Sequence, residues 1–292
     1  MTTRTLSADA RFVEKLYRDV PHVDREAFHR FRTDNPVRRA IVRGVEWEYL
    51  TGGEGDRNLL LLPGAQGTGA SVWANADHFS QRFRWVAPSY PPLATMAELT
   101  DGIAGLLDHL GMPSAAVIGG SYGGFVAQVL VRRHPERVER LLLSHTGPPR
   151  PLRGRQIAGA LRWFRFLPLF ALRVQYRKVM MGLVPNRPEL ALTRAYLEEV
   201  IALRVTRQSV LSGYRRVVDF DAMRFAPGDL DGWPGRVLLL MANDDPATPE
   251  PIQRQMQTLY PRAEVSLFAG SGHATGVLLR EEYLAAMDSF LE

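Results

Sequence analysis

The stretch Ala115-Ala116-Val117-Ile118-Gly119-Gly120-Ser121-Tyr122-Gly123-Gly124 constrains this chain more than any other. Its first residues form a short apolar run bounded by glycine, the pattern of a strand covered on both faces. From Tyr122 to His134 apolar residues recur at helical spacing, and Pro135 follows where it harms no hydrogen-bond ladder. A buried strand therefore turns sharply into a helix, with Gly-x-Ser-x-Gly at the turn. A residue on such a turn occupies a strained backbone conformation, and Gly119 and Gly123 keep side chains out of the crowded corner. The turn lifts the Ser121 hydroxyl above the sheet edge. It also aims the Tyr122 N–H, at a helix N-terminus, where an oxyanion would form. Taken alone, the same residues could be a glycine-rich turn needed only for packing, so the rest of the chain has to decide.

Strand and helix signals alternate along most of the sequence, which predicts an α/β fold with an eight-stranded, mostly parallel sheet flanked by helices. The predicted strands are Arg38–Arg43, Glu46–Thr51, Asn58–Leu62, Phe83–Pro88, Ala115–Gly119, Val138–Ser144, Arg236–Met241 and Glu264–Phe268. Runs such as Leu59–Leu62 and Val237–Leu240 are apolar throughout, as in strands that meet water on neither face. The first two strands flank Gly44 and read as an antiparallel hairpin. Helices are predicted at Ala94–Leu110, Tyr122–His134, Pro249–Leu259 and Arg280–Leu291, each with apolar residues three and four apart.

The alternation fails once. From Gly147 to Asp231 no strand is evident, and apolar residues interleave with arginine in helical patterns. The segment from Gly147 to Phe220 holds 14 Arg+Lys against 4 Asp+Glu, while the whole chain carries only +5. Residues 147–231 thus read as a helical insertion between two halves of a core, 36–146 and 232–292. Residues 1–35, with a helical pattern at Phe12 and Leu16, read as an N-terminal extension. No stretch approaches the roughly 20 apolar residues of a membrane helix, and Met1 to Val20 is too polar for a signal core, so a cytoplasmic protein is expected. Nucleic acid is not the expected partner. Lys15 and Lys178 are the only lysines, and the arginine excess sits in the insertion.

Cysteine is absent, which excludes thiolate nucleophiles, disulfides and cysteine-built metal sites. A serine nucleophile needs a base. His22 and His29 lie in the extension and His134 at a helix end, with no partner suggested. His273 differs: it sits in Gly270-Ser271-Gly272-His273, on a loop after the last strand, at the sheet edge where α/β folds bind ligands. The carboxylate that orients such a base is expected at Asp244–Asp245, again just past a strand. Asp245 is the choice and Asp244 the alternative, and either could instead cap the following turn. The order Ser121, Asp245, His273 is the order an α/β-hydrolase arrangement requires. A second oxyanion donor is expected from Pro63-Gly64-Ala65-Gln66-Gly67, with the Ala65 N–H preferred and Gln66 next. A phosphate loop is excluded there because no Gly-Lys-Ser/Thr follows.

With these residues in hand, the chain from about Pro36 onward resembles the α/β-hydrolase superfamily. Asn35-Pro36-Val37-Arg38-Arg39, Leu106-Leu107-Asp108-His109-Leu110 and Gly123-Gly124-Phe125-Val126-Ala127-Gln128 look similar to its maspardin-like branch. Pro63 departs from the His-Gly pair with which many relatives open the oxyanion loop. The resemblance implies a Ser121–His273–Asp245 triad and a reaction without cofactor or metal, on an ester, thioester or related acyl substrate. C–C bond hydrolysis and perhydrolysis use the same triad. The maspardin-like branch implies an alternative, a non-catalytic partner-binding protein. The resemblance also makes the insertion a cap over the nucleophile. Trp163, Phe164, Phe166 and Phe170 are expected, with Gln66, to line an apolar pocket, Arg162 and Arg165 facing away. The same run could alternatively rest on an anionic membrane surface.

Overall fold

The computed structural model describes residues 8–292, with side chains from Arg11; residues 1–7 of the expected extension lie outside the described residues. Eight strands form one sheet: β1 Arg38–Val42, β2 Val45–Gly52, β3 Arg57–Leu62, β4 Phe83–Pro88, β5 Ala115–Gly120, β6 Val138–Ser144, β7 Arg236–Ala242 and β8 Glu264–Phe268. Their spatial order is β1-β2-β4-β3-β5-β6-β7-β8. Pairs β1/β2 and β2/β4 are antiparallel, and all others are parallel. The β1–β2 hairpin closes through two residues, Arg43 and Gly44, both with positive φ, so the turn twists in the sense the strands do.

Alternation within the apolar strands divides the core in two. On β3, Leu60 and Leu62 pack into one layer with α4 (Met96–His109) and α5 (Tyr122–Arg133). Leu59 and Leu61 pack into the other, with Phe79 of α3 (Trp73–Phe79) and Met287 and Phe290 of α12 (Arg280–Leu291). Helix α4 begins two residues later than the sequence suggests because Thr95 caps it. Thr95 Oγ1 accepts from the Glu98 N–H while the Glu98 carboxylate accepts from the Thr95 N–H.

The segment between β6 and β7 holds four helices: α6 Pro151–Phe164, α7 Leu169–Gly182, α8 Ala191–Leu203 and α9 Arg207–Ala222. The N-terminal helices α1 (Ala8–Leu16) and α2 (His22–Asp34) pack on them and share a third apolar cluster, with Tyr17, Phe28, Leu172, Tyr196 and Val200 at its centre. Two polar bonds fasten that contact: Tyr17 Oη donates to Glu199 Oε2 at 2.6 Å, and Arg32 Nη1 donates to the same oxygen at 3.0 Å. The extension is therefore a wall for the insertion. Helices α10 (Glu250–Leu259) and α11 (Thr275–Leu278) complete the chain. Among the described residues no helix is long and apolar enough to cross a membrane.

Candidate active site

Ser121 sits between β5 and α5 with φ 53° and ψ −118°, a left-handed conformation a non-glycine residue adopts only when its surroundings impose it. Two bonds impose it here: the Ser121 N–H donates to Ser144 O at 2.8 Å, and Thr146 Oγ1 donates to Ser121 O at 2.8 Å. The flanking glycines are sterically required. A Cβ on Gly119 would lie 2.5 Å from Gly123 O, and one on Gly123 would lie 2.3 Å from Leu62 O. The Tyr122 and Ala65 N–H groups donate to no acceptor among the described residues, and Ala65 and Ser121 line the same cavity. Tyr90 Oη donates to Pro63 O at 2.8 Å, and Tyr176 Oη donates to Ala65 O at 2.6 Å. These two phenols hold a loop that opens with Pro63.

Asp245 follows β7, and His273 lies in the short turn Gly272–Ala274 that precedes α11. Asp245 Oδ2 is 2.9 Å and Oδ1 3.1 Å from His273 Nδ1. The carboxylate is buried, and it also accepts from the Ala247 N–H and the Thr248 hydroxyl, each at 2.8 Å. Burial alone would raise its pKa, but the hydrogen bond and charge of His273, with the Thr248 and Ala247 bonds, outweigh it and the net shift is downward. A carboxylate held ionised cannot donate, so the Nδ1 that faces it carries a proton and Nε2 is the ring nitrogen left free of Asp245. Asp244 plays a different part, because its Oδ2 accepts from the Gly272 N–H at 3.0 Å and steadies the loop that carries His273. Ser121 and His273 line one cavity, yet Ser121 Oγ makes no hydrogen bond among the described residues. Such contacts often tighten only when substrate is bound.

A cavity of about 410 Å3 runs from Ser121 beneath the helices of the insertion, and Gln66 is among the residues that line it. The expected aromatic lining is not there. Trp163, Phe166 and Phe170 are 74%, 69% and 71% exposed, and Phe164 packs instead against Tyr214 with ring centroids 5.6 Å apart. The reason is helical phase. The face of α6 turned toward α9 carries Gly154, Ile157, Leu161 and Phe164, and Gly154 lies so close to Asp221 that a Cβ would come within 2.7 Å. Trp163, one residue before Phe164, then points outward beside Arg162, and Phe166 lies past the end of the helix. The aromatics and the arginines share the outer side. The apolar wall comes from Tyr176 and Met180 on α7 and Leu183 just past its end, with Val200, Val210 and Val217. The spacing of 176, 180 and 183 was a readable signal for that face.

Sequence reasoning also missed His145. It follows β6 directly, at the carboxyl edge of the sheet, and has φ 49°. It is buried, its ring 5.6 Å from that of His273 and edge-on to it. Its Nδ1 lies 2.7 Å from Ser144 Oγ and its Nε2 2.7 Å from Thr275 Oγ1, one acceptor and one donor role that suit a neutral ring. Burial foremost, then the charge of His273, pushes its pKa down to about 4 from the usual 6.5. Between pH 6.5 and 4 the unfolded chain therefore binds a proton that the folded one does not. Stability is intact above 6.5 and should drop by about 3 kcal/mol as pH falls to 4. Urea unfolding at pH 7 and pH 4.5 measures this, and a His145→Asn variant should show a shallower dependence.

Arg216 was unforeseen as well. This buried guanidinium on α9 donates to Tyr122 Oη at 2.6 Å and to the carbonyls of Pro91 and Leu93, tying the insertion to the residue after Ser121.

This architecture and this placement of Ser121 above the sheet define an α/β hydrolase. Residues 59–287 match the model of the Alpha/beta hydrolase family, and the chain belongs to that family. It is 36% identical over 118 residues to the homoserine O-acetyltransferase of Thermus thermophilus, a stretch that is 39% of this chain and only 30% of that enzyme. Over a longer span it is 24% identical to the 2-hydroxymuconate semialdehyde hydrolase of Pseudomonas putida, across 87% of this chain and 93% of the relative. A hydrolase from Pseudomonas aeruginosa PA01 has the same fold, with a TM-score of 0.72 and 21% identity over 88% of this chain and 98% of that one.

Proposed function

We propose that the protein is a serine hydrolase that cleaves esters, thioesters or related acyl compounds with an apolar acyl group. The observation that carries this reading is the buried Asp245–His273 pair, 2.9 Å between Oδ2 and Nδ1, on a cavity that Ser121 also lines. In this reading Ser121 Oγ attacks the acyl carbon while His273 Nε2 takes its proton. The carbonyl oxygen becomes an oxyanion held by the Tyr122 and Ala65 N–H groups, at the positive end of α5. The protonated His273 returns its proton to the leaving group as the tetrahedral centre collapses to an acyl-enzyme. Water activated by His273 then repeats the sequence and frees the acid. Asp245 keeps the proton on Nδ1 and stabilises the imidazolium formed in each half.

The test is covalent. An organophosphonate that reacts with activated serines should label Ser121 at one equivalent, located by peptide mass spectrometry, and the label should be absent from the Asp245→Asn and His273→Ala variants. A protein unlabelled at Ser121 would refute the proposal. The acyl preference has its own readout. Each additional methylene that enters the Met180–Leu183–Val210 wall should raise kcat/KM up to about fourfold, reaching a plateau when the cavity is full. A p-nitrophenyl ester series from acetate upward measures it, and a rate that is flat from acetate on would refute an apolar acyl pocket.

A further inference from the structure

The aromatic residues excluded from the cavity form a surface of their own. Trp163 lies in the last turn of α6, Phe166 lies in the connecting turn, and Phe170 and Val174 rise one turn apart on the outer side of α7. All four are well exposed, as is Leu152 near the start of α6. An exposed cluster of large apolar side chains at one corner, two of them Phe and one Trp, costs solubility unless something covers it. The charges around it are of one sign. From Gly147 to Arg187 the chain has nine Arg or Lys and no Asp or Glu. Arg177 pairs with Glu198 and Arg153 with Asp221, whereas Arg155, Arg162, Arg165 and Lys178 make no ion pair among the described residues. Arg165 lies over the Phe166 ring, 4.6 Å from its centroid, so cation and aromatic are presented together.

We propose that the α6–α7 corner docks on anionic phospholipid bilayers. A bilayer satisfies both halves of the surface: Trp163, Phe166 and Phe170 enter the boundary between headgroups and acyl chains, and the unpaired cations meet lipid phosphates. A protein partner would need a matching acidic groove, and a second copy of this chain would bring the same unpaired positive charges face to face. Docking sets the outer side of α7 on the lipid while its inner side, with Tyr176 and Met180, walls the cavity. The inference concerns the surface alone and stands whatever reaction the cavity supports.

Vesicle co-sedimentation of the full chain tests it. Phosphatidylcholine vesicles containing phosphatidylglycerol should bind the protein on the order of several hundredfold more tightly than phosphatidylcholine alone at low salt, since four cations each contribute roughly fivefold. Added salt should erode most of that difference. Trp163 should report its own burial as a fluorescence blue shift on anionic vesicles, and Trp163→Phe should remove the shift. The Trp163→Ser/Phe166→Ser/Phe170→Ser variant should lose at least about tenfold in vesicle affinity. Arg162→Glu/Arg165→Glu should abolish the preference for anionic lipid. Both should keep the esterase rate on a soluble substrate, because none of these residues touches the cavity. Absence of binding to anionic vesicles at low salt would overturn the proposal, as would full binding by the triple serine variant. A dimer that dissociates on dilution and is lost in that variant, without vesicle binding, would assign the surface to a second copy instead.

Discussion

Ser121→Ala is expected to lower kcat for short p-nitrophenyl esters by on the order of 10⁵- to 10⁶-fold, because deleting the nucleophile removes the covalent route and leaves only the weak effect of the oxyanion donors. The fold should hardly notice. Ser121 Oγ makes no hydrogen bond among the described residues, and alanine carries the same Cβ into the same positive-φ turn. The unfolding free energy should therefore stay within about 0.5 kcal/mol of the parent. Steady-state rates and urea unfolding of the purified variant check both halves. Activity within tenfold of the parent would refute the serine mechanism, and the maspardin-like alternative, a binding protein on this scaffold, would then be the one to pursue.

Asp245→Asn is expected to cost about 10⁴-fold in kcat, because the asparagine amide can hold His273 in the wrong tautomer, with its proton on Nε2 and no base facing Ser121. Asp244→Asn should cost less than about tenfold. Its remaining side-chain oxygen still accepts the Gly272 N–H, and it makes no contact with the imidazole. Comparing kcat for the two variants on one ester separates the adjacent acids. The reverse order would transfer the orienting role to Asp244.

Much of this was readable in the chain itself. The strand–elbow–helix around Ser121 depends on local geometry: four glycines, an apolar run and a helical repeat lie within about twenty residues, and each constrains its neighbours directly. The eight strands were legible for a related reason. Buried parallel strands such as Leu59–Leu62 are apolar on both faces, a pattern that needs no knowledge of the partner strand. The loops of Asp245 and His273 could be found because each directly follows a strand. Asp245 was preferred to Asp244 from the sequence, but both acids occupy the same turn and only the fold determines which reaches the imidazole.

The insertion was legible as helical and basic but not in its orientation. A run of alternating aromatics and arginines is compatible with several helical phases, and the phase of α6 is set by a contact remote in sequence, Gly154 against Asp221 of α9. That contact turned Trp163 outward and left the cavity wall to Met180 and Leu183. His145 and Arg216 escaped for the same reason. Nothing local marks them, and they matter only because β6, α9 and the His273 loop converge. The sequence by itself determined the α/β sheet, the elbow and the chain order of the three candidate catalytic residues, because each depends on backbone conformation and periodicity within one element. Tertiary structure alone decided which acid meets the imidazole, which residues wall the cavity and which aromatics face solvent, because side-chain direction depends on how each helix is rotated against its neighbours.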